Sequence, residues 1–295
     1  MSFETPPGPV VLEPGDDPGH PLAPWFAHAR ELRREHYAGR TPPRGSRALV
    51  TMVHDEPVFL PLFLRYYGRF FAPDDIYVLD NGTTDGSTAG GGFQRLEAHH
   101  DTVDHTWMVR TIEALQHELL RRYDMVLVCD VDELIAPSPA FGTLGDYLDR
   151  FDEEWVNCLG YELLHVPGEP PLRLDEPILG QRRHWFFNDG YNKAALATTP
   201  LEWKPGFHGR ADQHVNLDPD LRLIHLHRMD RELCRERHRV RRRKPWAPED
   251  EARGWAVHNR LADDAAFDRW FDGESGFSAI PVKPERIPEP WFGVF

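Results

Sequence analysis

The hydrophobic pattern becomes regular at Arg47, where the apolar run "RALVTMV" predicts a short strand. "EPVFLPLFLRYYGRF" follows, with apolar residues at helical spacing. Next comes "DDIYVLD", a second strand from Asp74 to Asp80, closed by the turn-rich "NGTTDGSTAGGG". Strand, helix and strand within roughly 30 residues is the size of a βαβ crossover, so the two strands are expected to run parallel. Between Thr106 and Tyr123, Met108, Ile112, Leu115 and Leu119 fall on one stripe of a helix. It leads into "MVLVCD", an apolar run without alternation, as expected of a strand covered on both faces. Beyond Pro139 the strand-like runs are short, around "WVNCLGYELLHV", "RRHWFF" and "LRLIHLH". Alternating β and α in front, with short strands behind, predict an α/β domain built on a mixed sheet.

Outside this stretch the pattern breaks. Residues 1–45 read as an irregular arm rich in Pro, Gly and acid, followed by a helix over "WFAHARELRREHY". Residues 46–230 hold the regular pattern. Residues 231–295 open with "RELCRERHRVRRRK", expected to be a helix after Asp230, and close with the Pro-rich "PVKPERIPEPWFGVF". That helix carries eight Arg or Lys against two Glu, within a chain of net charge -14. The overall charge excludes general nucleic-acid binding, which needs a cationic footprint. The basic helix reads as a solvated face paired with acids of the same chain. The sharper alternative is recognition of an anionic acceptor, or of a membrane surface bearing a lipid-linked one.

No apolar run approaches the roughly 20 residues of a membrane span, and "MSFETPPGPV" lacks the regions of a signal peptide. Cys129, Cys158 and Cys234 are far apart and fit no zinc spacing, so reduced thiols in a cytoplasmic protein are expected, peripheral at the membrane if the basic helix binds lipid.

The candidate chemistry sits where the strands end. Three of them run into polar residues: His54-Asp55-Glu56, Asp80-Asn81 and Asp130-Val131-Asp132. Parallel strands would bring all three clusters to one sheet edge, where open α/β sheets bind their ligands. Like-charged carboxylates crowded there repel one another. A hard divalent cation, Mn2+ or Mg2+, takes oxygen ligands, removes the repulsion and leaves positions open for phosphate oxygens.

In order, "ALVTMVHDEPVFLPLFLRYY", "IYVLDNGTTDGST" and "MVLVCDVDELI" resemble the glycosyltransferase family 2 group with the GT-A fold, in its DVDE/DNGSTD-motif branch. The resemblance runs from about Arg47 to Asp230. It implies a Rossmann-like, mainly parallel mixed sheet flanked by helices, and a metal-dependent, inverting transfer of sugar from a UDP- or GDP-linked donor to an acceptor hydroxyl. It also implies that Glu56 and Asp80 hold the nucleotide, with Asp85 as either a ligand contact or a turn cap. Asp130 and Asp132 would bind the cation on the diphosphate. Lys193 and His208 match a later Lys…Pro…His stretch, and "LRLIHLHRMD" matches a strand ending in a metal-site histidine. His227, His225 and His208 are therefore candidate ligands, the first two on one face of an extended strand.

An inverting transferase also needs a carboxylate to take the acceptor's proton. Asp212 in "GRADQH" and Asp189 in "FNDGY" are the candidates, ahead of Glu202, with Asp212 the first choice. Two other functions fit parts of the pattern: a haloacid-dehalogenase-type phosphatase, whose strand also ends in Asp-x-Asp but normally continues to Thr where Leu134 stands here, and a catalytically inactive sugar-nucleotide-binding protein.

Overall fold

The computed structural model describes Glu31, residues 45–273 and residues 283–295. The arm and helix expected over residues 1–45 fall almost wholly outside that range. The described chain builds a mixed ten-stranded sheet. Strands β1 (Arg47–Val53), β2 (Ile76–Asp80), β3 (Gln94–Glu97) and β4 (Met125–Val128) lie in the order β3-β2-β1-β4, all parallel. The β1–β2 crossover is made by helix α1 (Phe59–Tyr67), as the spacing requires.

Helix α2 (His105–Leu119) covers the opposite face of these strands. Its N-cap, Asp104, accepts from the Trp107 N–H. Because helices cover both faces, neighbouring strand residues go to different cores. Leu49, Ile76 and Leu127 pack with Phe59, Phe63 and Tyr67 of α1, whereas Val50, Tyr77 and Val128 pack with Val109 and Ile112 of α2. This explains the unbroken apolar runs. The buried stripe of α2 is Val109, Ile112, Gln116 and Leu119, turned from the expected one, so that Met108 instead faces a cleft.

The second half of the sheet is largely antiparallel. β5 (Glu133–Pro137) pairs antiparallel with β9 (Leu217–His225), and β9 pairs parallel with β6 (Trp155–Leu164). β7 (His184–Phe187) and β8 (Ala194–Ala197) flank β6, and β8 joins this half to β4. Between the strands run the short helices α3 (Leu144–Leu148) and α4 (Ile178–Gln181).

After β9 come α5 (Arg231–Arg242), α6 (Pro248–Arg253) and α7 (Asp264–Gly273), then β10 (Glu285–Arg286), which pairs with β7. α5 starts where the sequence places it, on an Asp230 side chain that accepts from the Glu232 and Leu233 N–H groups. The aromatic tail is structural, since Trp291 and Phe295 are buried in the main core.

Candidate functional site

The ends of β1 and β4 open into a cleft of about 400 Å³. The chain leaves β4, makes a tight turn in which the Glu133 N–H donates to the Asp130 carbonyl at 3.0 Å, and returns as β5. The turn is fastened a second time by the Asp130 N–H, which donates to Glu133 Oε2 at 2.8 Å. From α1, the Tyr67 hydroxyl donates to the Glu133 carbonyl and accepts from the Ile135 N–H.

β5 and β9 pair with Glu133 opposite His225, and the Leu226 N–H donates to the Asp132 carbonyl at 2.8 Å. This register places the His-x-His pair around Asp132. His225 Nε2 and His227 Nδ1 lie 3.6 and 3.7 Å from Asp132 Oδ2. Each ring is gripped on its far side: Glu162 of β6 meets His225 Nδ1 at 3.0 Å, and His238 of α5 meets His227 Nε2 at 2.8 Å.

The carboxylates have cations of their own. Lys193, fully buried, donates to Asp130 at 2.9 Å and to both oxygens of Glu133 at 2.8 and 2.7 Å. Arg237 of α5 spans Asp132 and Glu56, at 2.6 Å from each. Burial works to raise the Asp132 pKa, but Arg237 and His225 outweigh it and hold the carboxyl well below the usual range. Burial pushes Glu133 up to about 7, with Lys193 opposing and Asp130 adding to the rise. Burial would lower His225, yet Glu162 and Asp132 carry it up to about 10. Burial keeps His227 and His208 neutral, well below the usual histidine range.

Asp132, His225 and His227 offer ligand atoms that all lie within 4.8 Å of one another. One carboxylate and two imidazoles, each imidazole oriented from behind, fit a first-row transition ion better than Mg2+. Asp130, the more exposed carboxylate at 42 %, faces the cleft and can add an oxygen. His227 also belongs to a second buried donor group with Cys234 and His238.

No family model and no curated protein matches this chain. Among solved structures, a mannosyltransferase from Pyrobaculum calidifontis in complex with GDP-Man and Mn2+ is similar at 16% identity, covering 49% of this chain and 45% of that one, with a TM-score of 0.27. The chain thus spans less than half of that protein, and a likeness so slight says nothing of its chemistry. No helix among the described residues is long and apolar enough to cross a membrane.

Of the residues expected from sequence, Glu56, Asp130, Asp132, His208, His225 and His227 line the cleft, with Lys193 directly behind Asp130. Five others lie outside its lining, among them the exposed Glu202. Asp80 turns into the loop that follows it, where its carboxylate accepts from the Thr83 N–H at 2.8 Å, the Thr88 hydroxyl at 2.7 Å and Arg95 at 2.7 Å. Asp85 accepts from the Ser87 N–H, as a turn cap does. Asp189 is exposed in a 3-10 turn. Asp212 accepts from Nε and Nη2 of Arg210, which keeps its pKa far below the usual range.

Sequence reading missed Glu162, Arg237 and His238. The basic run was visible, but nothing in it showed that Arg237 would reach back 105 residues to Asp132.

Proposed function

We propose that the chain is a glycosyltransferase that moves a sugar from a UDP- or GDP-linked donor to an acceptor hydroxyl. A divalent cation, Mn2+ rather than Mg2+, would be held by Asp130, Asp132, His225 and His227. The observation that carries this reading is the convergence of the Asp-x-Asp turn and the His-x-His strand end on one open cleft. Such a cation, when bound, neutralises charge on the departing diphosphate as a Lewis acid.

The chain's own residues supply the rest. Glu162 and His238 fix which ring nitrogens face the site. Lys193 and Glu133 hold the turn that aims Asp130 into the cleft. His208 lines the cleft as a neutral, buried imidazole. The resemblance implies inversion. Because Asp189, Glu202 and Asp212 lie outside the cleft lining, the proton acceptor belongs among the carboxylates that line it.

Calorimetric titration with UDP and GDP, with and without Mn2+, tests the reading on wild type and Asp132→Ala. Nucleotide binding should need Mn2+ and vanish in the variant. Binding indifferent to both would sink the proposal, and hydrolysis of a simple phosphate ester through Asp130 would favour the phosphatase.

A further inference from the structure

The C-terminal turn of the basic helix α5 and the residues just after it form a wall of the cleft, and the cations of this segment are unequally matched. Those pointing away are paired with acids of the same chain: Arg231 and Arg235 with Asp268, and Arg239 with Asp264. Arg237 is shared between Asp132 and Glu56. Arg241 and Lys244 line the cleft, and the carboxylates nearest to them are already engaged by other groups. Arg241 has Glu56 at 3.6 Å and Asp132 nearby, both already engaged by Arg237. Lys244 makes no ion pair within 4 Å among the described residues; the carboxylates nearby are Asp55, which accepts from the Thr84 and Asp85 N–H groups, and Glu56, which pairs with Arg237.

The position of Lys244 is built into the fold. The backbone just after it is zipped to Val103, whose N–H donates to the Pro245 carbonyl at 2.9 Å and whose carbonyl accepts from the Ala247 N–H at 2.9 Å. Burial, and then the neighbouring Arg241, hold Lys244 below the usual lysine range, with Asp55 and Glu56 opposing. Two cations crowded on a cleft wall and fixed by backbone pairing, their nearby carboxylates shared with Arg237 or with backbone N–H groups, repel each other until an anion joins them. Phosphoryl oxygens suit both: a guanidinium binds them in a planar fork and an ammonium binds them as a point charge.

We propose that Arg241 and Lys244 form a phosphoryl-binding subsite beside Glu56 and Asp132. The choice of source, the donor's diphosphate or a phosphate on the acceptor, rests on the glycosyltransferase reading; the phosphoryl chemistry does not.

The test titrates the full chain calorimetrically with inorganic pyrophosphate in the absence of metal, comparing wild type, Lys244→Arg and Arg241→Gln/Lys244→Met. Wild type should bind pyrophosphate, Lys244→Arg should retain most of the affinity, and the double variant should lose about tenfold to a hundredfold. A thermal melt of each variant shows that it remains folded. No pyrophosphate binding by wild type, or equal binding by the folded double variant, overturns the subsite, whatever becomes of the transferase reading. GDP and UDP titrations with Mn2+ then identify the source. A parallel loss of nucleotide affinity assigns the subsite to the donor. Unchanged nucleotide affinity, with pyrophosphate binding to the GDP-saturated protein lost, assigns it to a phosphorylated acceptor. If neither nucleotide binds wild type, the transferase reading fails while the pyrophosphate result stands.

Discussion

Replacing Lys193 with Met removes the cation between Asp130 and Glu133 and leaves two carboxylates facing each other beside the core. The ammonium is fully buried and makes three hydrogen bonds of 2.7 to 2.9 Å. Removing one partner of such a pair costs about 3–5 kcal/mol, because the remaining charge is neither solvated nor matched. Burial already pushes the Glu133 carboxyl up, so without Lys193 it can take up a proton, which places the loss near the lower end of that range. Unfolding entropy of about 2.1 cal/mol/K per residue over 295 residues amounts to about 0.6 kcal/mol/K, so the melting midpoint should fall by about 5 °C. The assay is a thermal melt of wild type, Lys193→Met, Glu133→Gln and the double variant. Most of the loss should return in the double variant, which lacks both charges. A loss under about 1 kcal/mol, the size expected of an exposed pair, or strictly additive losses, would refute the reasoning.

Glu162→Gln should weaken Mn2+ binding about tenfold to a hundredfold, read by titration of the paramagnetic ion, because His225 loses the carboxylate that orients it; an unchanged affinity counts against His225 as a ligand. Asp212→Asn should leave turnover within about threefold, and a loss of about 10²–10⁴ would restore Asp212 as the base. Asp80→Asn should cost about 1.5–3 kcal/mol at neutral pH, the worth of hydrogen bonds to a charged group. Burial works to raise the Asp80 pKa, but the Thr83 N–H, Thr88 and Arg95 lower it further, so its stabilisation is present above the unfolded value of 3.8. The gap between variant and wild type in urea melts should therefore close as pH falls below about 4, and a gap independent of pH would contradict the ionised role. Mn2+ and GDP should each tighten the binding of the other by the same factor, and independent binding would contradict a shared site.

Much of the fold was legible because most of its strands are buried on both faces and so read as unbroken apolar runs. β3 escaped notice as "QRLE" on an exposed edge, with no core face to give it a pattern. β5 starts on the buried Glu133 and ends on Pro137, residues that seldom mark a strand. The Asp-x-Asp and His-x-His elements were legible as local spacing.

What surrounds them was not. Glu162 reads as one acid within an apolar strand until the parallel register of β6 and β9 sets it beside His225. Asp80 ends a strand just as Asp130 follows one, yet the two do different work. The loop after Asp80 supplies Thr83 and Thr88, and β3 supplies Arg95, to claim the carboxylate. After β4, the chain instead turns straight back into β5 and leaves Asp130 facing the cleft.

The carboxylate cluster is stable for a reason the sequence pattern did not suggest. Glu56, Asp130, Asp132 and Glu133 face Lys193, Arg237 and His225, so the chain carries most of the counter-charge that a cation would otherwise supply. A divalent ion entering alone would find Asp132 already engaged by Arg237 and would add positive charge beside Arg241 and Lys244. An anion entering alone would relieve those two cations but approach Glu56 and Asp130. The two together would balance, the cation held by the acidic residues Asp130 and Asp132 and the phosphoryl group by Arg241 and Lys244. The self-paired cluster therefore favours joint binding of cation and anion, and the proposed site would include the end of the basic helix as well as the Asp-x-Asp turn.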